Sequence, residues 1–265
     1  MKVYVCTALI GDYDFLLPVN QYEYNKNWNF ICYSDKKRNI KGWEFRELPE
    51  QTSGLSVFLK SRYIKVFCES IDDNPGIYIY IDANIQLQKK FIFLYEQFIK
   101  SNLSLGLFSH PYRKNIFEEF EATLHNNKLK NINELAHNQI EKYSEDVNFT
   151  KTNLLFENNM IFKISGDIKV KKLMKQWWDE LKKWPSRDQF SLPYVVYRSD
   201  LKYFLTELDK RKDNDYVSIH GHKMKNFRDV HSFIFARRKR LPYRILLFFW
   251  QPVHSVLMKF SQLIG

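Results

Sequence analysis

Gly76-Ile77-Tyr78-Ile79-Tyr80-Ile81-Asp82-Ala83-Asn84 is the stretch on which the reading of this chain turns. Five β-formers in succession, Ile77 to Ile81, describe a strand buried on both faces. Asp72-Asp73-Asn74-Pro75-Gly76 ahead of it is a turn. A carboxylate follows at the carboxyl end of the strand, where open α/β sheets place their ligands. Asp82 and Asn84 stand two residues apart, so they can point the same way and offer oxygens to one hard cation. The competing reading is a strand running into a turn, because Asp and Asn also favour turns. Asn84 ligates without adding charge, so a cation is held less tightly here than by two acids.

Outward from this strand, helix and strand patterns alternate. Residues 2–10 read as a first strand, followed by the loop Gly11-Asp12-Tyr13-Asp14. Trp28 to Tyr33 is a second strand, closed by Ser34-Asp35, and Trp43 to Leu48 a third. Ser56 to Ile71 is helical, with Phe58/Leu59, Arg62/Tyr63 and Val66/Phe67 recurring at helical spacing. Downstream, Phe91 to Lys100 reads as a helix and Leu103 to Phe108 as a strand. Ile116 to Asn148 is polar and mostly helical, without a strong apolar face. Leu154 to Ile164 reads as a strand interrupted by Glu157-Asn158-Asn159. Lys169 to Lys183 is a helix, and Ser186-Arg187-Asp188-Gln189 opens another that Pro193 should break early. The alternation predicts an α/β/α sandwich around a mainly parallel central sheet.

The 265 residues fit one large domain, 1–236, with a tail, 237–265, appended. A hydrophobic content of 45% is ample for a core, and the eight Gly and eight Pro are too few for long linkers. The formal charge of +11 calls for an anionic partner. Much of that excess sits at Arg237-Arg238-Lys239-Arg240, which weakens a nucleic-acid reading of the whole domain. Cys6, Cys32 and Cys68 lie in or beside apolar runs and form no CxxC pair, so they read as buried thiols in a reducing compartment, not a zinc ribbon. The chain opens directly on a strand, with no signal-peptide core, and the expected location is cytoplasmic. In the tail, Ile245-Leu246-Leu247-Phe248-Phe249-Trp250 is intensely apolar but far shorter than the ~20 residues that span a bilayer. A basic cluster ahead of an apolar, aromatic segment describes an anchor lying on an anionic membrane surface, here the inner face of the cell membrane. The alternative is a C-terminal helix packed on the body.

Several residues stand where chemistry is expected. Arg62 and Lys65 lie three apart on one helix face and can reach one anion; otherwise they form a solvated basic face. Thr7, Asp12, Tyr13 and Asp35 follow the ends of the first two strands, where a base and ribose lie in nucleotide-binding sheets. Glu157-Asn158 breaks a core strand, which marks a bulge or a ligand contact, and sugar hydroxyls are the contact expected. Asp188 opens a helix, so it is either a cap or a site carboxylate. Trp177 and Trp178 read as core.

The order of these motifs resembles the bacterial and plant glycosyltransferase-like family once catalogued as a domain of unknown function and typified by plant mucilage-synthesis proteins. More distantly it is similar to the family-8 glycosyltransferases of the GT-A fold. The residues that carry the resemblance are Tyr4 to Asp14, Cys32-Tyr33-Ser34-Asp35, Arg62-Tyr63-x-Lys65, Tyr80 to Asn84, His110-Pro111-Tyr112-Arg113 and Trp184-Pro185-Ser186-Arg187-Asp188-Gln189. They span about residues 1 to 200, and the tail lies outside them. The resemblance implies a GT-A-like (Rossmann-like) fold and transfer of a sugar from a nucleotide-diphosphate donor, with a UDP-sugar favoured, to a hydroxyl of a polysaccharide or glycolipid. It implies Mn2+ (or Mg2+) held by Asp82 and Asn84, with His220 as a further ligand and His222 or His231 as alternatives; imidazole favours manganese. Lys223 or Lys225 would approach the diphosphate. His110, Arg113, Glu118, Glu119 and Arg187 would line the donor-sugar or acceptor side, although Glu118 and Glu119 also read as acids at a helix start beside Arg113. Asp188 and Gln189 would carry the chemistry: Asp188 as general base if the anomeric centre inverts, or both as orienting and charge-stabilising groups if it is retained.

Two other readings compete. A nucleic-acid-binding α/β protein would spread its basic residues along one groove. A catalytically silent GT-A scaffold would keep the fold without the chemistry, and Asn84 in place of an acid suits it. A nucleotidyltransferase finds no support, because the chain has no Gly-rich phosphate loop.

Overall fold

The computed structural model describes residues 1–11, 14, 16–19, 27–72, 74–125, 133–209, 215–220 and 241–263. The quoted stretch is β4 (Ile77–Ile81), and it lies at the centre of a seven-stranded sheet. On one side stand β1 (Val3–Leu9), β2 (Trp28–Ser34) and β3 (Glu44–Glu47), all parallel to β4. On the other stand β7 (Met160–Ile164), β6 (Leu105–Phe108) and β8 (Phe204–Thr206). Of these strands β7 alone runs against the rest, antiparallel to both β4 and β6. The sheet is thus mainly parallel, as its apolar strands predict. A second ribbon pairs β5 (Ile85–Leu87) with β9 (Val217–Ile219), antiparallel.

Side chains alternate across the central strand with the period of two that a pleat imposes. Ile77, Ile79 and Ile81 join Phe162 and Phe108 on one face, under β5 and α2 (Phe91–Lys100). Tyr78 and Tyr80 turn to the other face, against Ile64 and Cys68 of α1 (Val57–Ile71). That second layer continues with α6 (Ile168–Lys183) and α7 (Asp188–Tyr197), which share a core with Val66, Leu107 and Ile161. Helices on one face and a helix plus ribbon on the other make the three-layer α/β/α sandwich expected. Trp177 is fully buried and donates Nε1–H to Ser191 Oγ at 3.0 Å, while Trp178 packs against Tyr63 and Phe67. All three cysteines are free and buried. The chain through residue 11 and the strand at Trp28–Ser34 sit where the sequence places them.

Three local expectations are corrected. The interrupted strand over 154–164 is shorter: only Met160–Ile164 pairs as β7, and Phe156 makes a lone bridge to Ser109. Asn158 and Asn159 form a turn that enters the strand, and the Asn158 side chain ties that turn to the backbone of α7. Pro193 does not end α7, which runs on to Tyr197. Phe190, Leu192, Val195 and Val196 around it are buried, and about 1.5–3 kcal/mol for each such side chain outweighs one lost backbone bond. The polar region after Ile116 does have an apolar face. Helices α3 (Ile116–His125), α4 (Asn133–Ser144) and α5 (Val147–Thr150) bury Ile116, Phe120, Ala136, Ile140, Tyr143 and Phe149 against Phe190.

A buried ion pair ties α1 to the sheet. Lys163 of β7, opposite Tyr78 on the same face of the sheet, is inaccessible to solvent and pairs with Glu69 of α1. Its ammonium also donates to the carbonyls of Lys65, at 3.1 Å, and Val66, at 2.6 Å. The last described helix, α8 (Leu241–Leu263), makes up the tail.

Candidate functional site

Strands that run parallel end together, so residues just beyond β1 and β4 meet at one edge of the sheet. There Asp82 follows Ile81, and its backbone N–H donates to the Asn159 carbonyl at 2.8 Å. This joins the end of β4 to the start of β7. A cleft of about 940 Å³ opens at this edge. Its walls carry Arg62 and Lys65 from α1, Asp82, the Glu157–Asn159 turn, and Arg187, Asp188 and Gln189 from the start of α7.

The charged groups converge. Lys65 Nζ lies 2.7 Å from Asp188 Oδ2 and 3.2 Å from Asp82 Oδ1. Arg62 Nε lies 3.2 Å from Asp188 Oδ2. Tyr80, two residues before Asp82 and on the same side of the strand, donates its hydroxyl to Asp82 Oδ1 at 3.0 Å. Lys65 is almost wholly buried, at 2% exposure, whereas about a third of the Asp82 side chain is open to solvent. Arg62 and Lys65 do share a helix face, as their spacing predicts, but Lys65 is no solvated lysine. Its charge is tolerated because two carboxylates face it.

Burial alone would raise the Asp188 carboxyl; the charges of Arg62 and then Lys65 outweigh it and hold it well below the ordinary carboxylate range. Burial likewise opposes the charge on Arg62, but Asp188 and Asp82 outweigh it and raise the guanidinium further. Burial and the neighbouring Asp82 push the Tyr80 hydroxyl far up, so it stays protonated and donates. Asp188 also stands at the first position of α7, where the helix dipole favours an anion. Capping and site roles are therefore compatible in this residue.

Asn158 is buried. Its Nδ2 donates to the Asp188 carbonyl at 2.9 Å, and its Oδ1 has no hydrogen-bond partner among the described residues. Asn159 Oδ1, beside it, is in the same condition. Both residues line the cleft, but these two oxygens are themselves sealed from solvent.

A second, smaller cavity of about 360 Å³ holds His110 and Arg113 with Lys114, Asn153, Glu207 and Asp209. Glu119 connects it to the cleft: the carboxylate takes Arg113 Nε on one oxygen and Arg187 Nη2, at 2.7 Å, on the other. Arg187 passes the contact on to Gln189 Oε1. Glu118, the neighbour of Glu119, instead accepts from the Lys114 backbone N–H at 2.8 Å and serves the start of α3.

Beyond Arg62, Lys65, Asp82 and Asn84, two of the candidates placed on the nucleotide side, Thr7 and Asp35, are described. Thr7 is buried within β1, and its hydroxyl has no hydrogen-bond partner among the described residues. Asp35 accepts from the Gly11 N–H with both oxygens, at 3.1 and 3.0 Å, which ties two loops together. Asp12, Tyr13 and Lys223, with Lys225, His222 and His231, lie outside the described residues.

The three expected metal ligands are each engaged within the protein. Asp82 Oδ1 has Lys65 and Tyr80, Asn84 Nδ2 donates to the His220 carbonyl at 3.1 Å, and His220 Nε2 lies 3.3 Å from Ser218 Oγ. Among the described residues no three His, Cys, Asp or Glu side chains gather as a metal site. A divalent ion on Asp82 would have to share its carboxylate with an ammonium, so this donor set does not make up a metal site by itself.

Tyr80 enters the sequence reading only as part of the Tyr80-to-Asn84 motif, with no role of its own, whereas Glu119, grouped there with Glu118, is the one of the two acids that reaches Arg113 and Arg187. Tyr80 announces itself only by its two-residue offset from Asp82. Glu119 falls on the buried face of α3 with Ile116 and Thr123, at helical spacing, and that period is the signal for it.

Residues 70–222 match the family model described as TOD1/MUCI70, glycosyltransferase-like domain. Among solved structures, the chain is similar to mouse xyloside xylosyltransferase 1 in its apo form, at 9% identity, covering 80% of this chain and 86% of that one, with a TM-score of 0.43. It is similar to core-mannan synthase A (CmsA/Ktr4) from Aspergillus fumigatus in its Mn/GDP form, at 9% identity, covering 77% and 72%, with a TM-score of 0.43. It is also similar to S. aureus TarS 1–349, at 9% identity, covering 88% and 63%, with a TM-score of 0.41. No curated protein sequence matches the chain.

Proposed function

This chain belongs to the TOD1/MUCI70 glycosyltransferase-like family, and on that premise we propose that it moves a sugar from a nucleotide-diphosphate donor, a UDP-sugar above all, to a hydroxyl of a polysaccharide or glycolipid acceptor. The observation that carries the reading is the pair of cations, Arg62 and Lys65, set on the wall of a 940 Å³ cleft at the carboxyl edge of the sheet. The bond that breaks joins the anomeric carbon to the diphosphate, and negative charge grows on the departing oxygen. Fixed cations that need no reorganisation stabilise that charge. Arg62 and Lys65 are aimed by Asp188 and Asp82 before any ligand arrives.

Asp188 is a poor proton acceptor, because its two cationic partners depress its proton affinity. The role that suits it is to orient Arg62 and Lys65 and to face the positive charge that develops at the anomeric carbon. Gln189 shares that task, fixed through Arg187. Glu157, Asn158 and Asn159 line the same wall of the cleft, where the transferred sugar would lie. The His110 and Arg113 cavity, coupled through Glu119 to Arg187, takes the acceptor side. No step here runs through a metal; manganese is tested directly.

The test is thermal stabilisation of the full chain by UDP, GDP, CDP and CMP, each with and without Mn2+. One nucleoside diphosphate should raise Tm well above the others, and Asp82→Ala, which loosens Lys65, should remove most of that rise. A folded protein that ignores every nucleotide under both conditions, yet binds DNA or RNA tightly, would overturn the transferase reading.

A further inference from the structure

The proposed function leaves α8 unused, and among the described residues its surface gathers the densest set of exposed large hydrophobic side chains. From Val230 to Gly265 the sequence carries six Arg or Lys and no Asp or Glu. Within the helix, Ile245, Leu246, Phe248, Phe249, Val253 and Val256 are all exposed. Phe248 and Phe249 leave 74% and 68% of their surface to solvent. At 3.6 residues per turn these six side chains fall within an arc of about 160°. The half-buried residues Leu247, Trp250 and His254 fall on the opposite side. The apolar arc is therefore not the side on which the helix is partly covered.

A contiguous exposed patch of this kind marks an interaction surface. Its length does not make it a span. No described helix is long and apolar enough to cross a membrane, and Arg244, Gln251 and Pro252 break the apolar run. We propose that α8 lies in the plane of an anionic lipid surface, with Phe248 and Phe249 set below the headgroups and the basic flank paired with headgroup phosphates. Charge selects this partner. A second copy of the chain would bring two acid-free, basic segments face to face, which repel. A nucleic acid would satisfy the basic flank but leave the aromatic arc in water. A membrane surface takes both at once: apolar area enters the acyl boundary while Lys and Arg meet anionic headgroups.

The experiment is co-sedimentation of the full chain with vesicles of phosphatidylcholine alone and of phosphatidylcholine with about 30 mol% phosphatidylglycerol, at low and high salt. The expected result is at least tenfold more bound protein on the anionic vesicles, reduced by salt. The double variant Phe248→Glu/Phe249→Glu, whose side chains are exposed, should lose that binding while keeping Tm and the response to nucleoside diphosphate. Equal binding to both vesicle types, no binding to either, or unchanged binding by the variant would overturn the proposal. So would light scattering that shows a wild-type dimer made monomeric by the same variant, since a second copy would then own the face. Nucleotide response is read separately, so loss of the transferase reading and loss of this one are distinguishable.

Discussion

Replacing Asp188 with Asn tests the charge arrangement of the cleft most directly. The wild-type cluster balances two cations, Arg62 and Lys65, with two carboxylates, Asp82 and Asp188. Asp188→Asn keeps the shape and leaves one positive charge in excess beside a lysine that is 2% exposed. Breaking a buried pair costs about 3–5 kcal/mol, and the lower end applies because Lys65 keeps Asp82 at 3.2 Å. About 3 kcal/mol in a domain of this size lowers Tm by roughly 6–12 °C. The pH dependence has a definite sign. A carboxyl whose folded pKa is depressed adds stability above its unfolded value, about 3.9, and loses it as pH falls through the folded value. The gap between wild type and variant should therefore stay constant from pH 6 to pH 8, roughly, and narrow only below about pH 4. Calorimetry across that range measures it. With a surplus positive charge, nucleoside diphosphate should bind the variant at least as tightly, while sugar transfer falls. A Tm within about 2 °C of wild type at neutral pH, or a gap that closes between about pH 5 and 8, would refute the charge balance drawn here.

On the proposed function, Arg62→Ala would remove one charge-assisted contact to the diphosphate, so affinity for the preferred nucleoside diphosphate should fall by roughly 10- to 100-fold. Titration calorimetry reads this directly, and an unchanged Kd would remove Arg62 from the donor site. One turn further along the same face of α1, Glu69→Leu strands the Lys163 ammonium and should cost roughly 3–5 kcal/mol in urea unfolding, most of which the double change Glu69→Leu/Lys163→Met should restore. A double variant as unstable as the single one would show that the pair is not what links the helix to the sheet.

The sheet was legible wherever burial on both faces forced a run of β-formers. Ile77–Ile81 is such a run, and it announced both the central strand and the cleft at its end. Helix α1 was legible because its apolar positions recur at helical spacing, and Ser56 caps it, as its side chain accepting from Leu59 N–H shows. Short edge pieces such as β5, β8 and β9 carry too few residues for either period to register. Pro193 misled because propensity is local, whereas the burial of Phe190 and Leu192 is tertiary. At the site, the sequence showed the groups but not their partners. Lys65 and Asp188 are 123 positions apart, and nothing in either neighbourhood announces that they touch. Glu118 and Glu119 were visible as a pair but not told apart: Glu118 serves the helix start, while Glu119 is buried between two arginines.

The position of Lys65 on α1 has a further consequence. Its ammonium faces the cleft while its own carbonyl accepts from Lys163 behind it. The residue is gripped from both ends, so α1 cannot roll or slide without tearing Lys163 from its acceptors. On the proposed function, a donor would meet a wall already held by these contacts and incur little entropic penalty there. Selectivity among donors should then behave as fit to a rigid template: a poorly shaped nucleotide sugar is rejected by enthalpy, not accommodated by a moving helix.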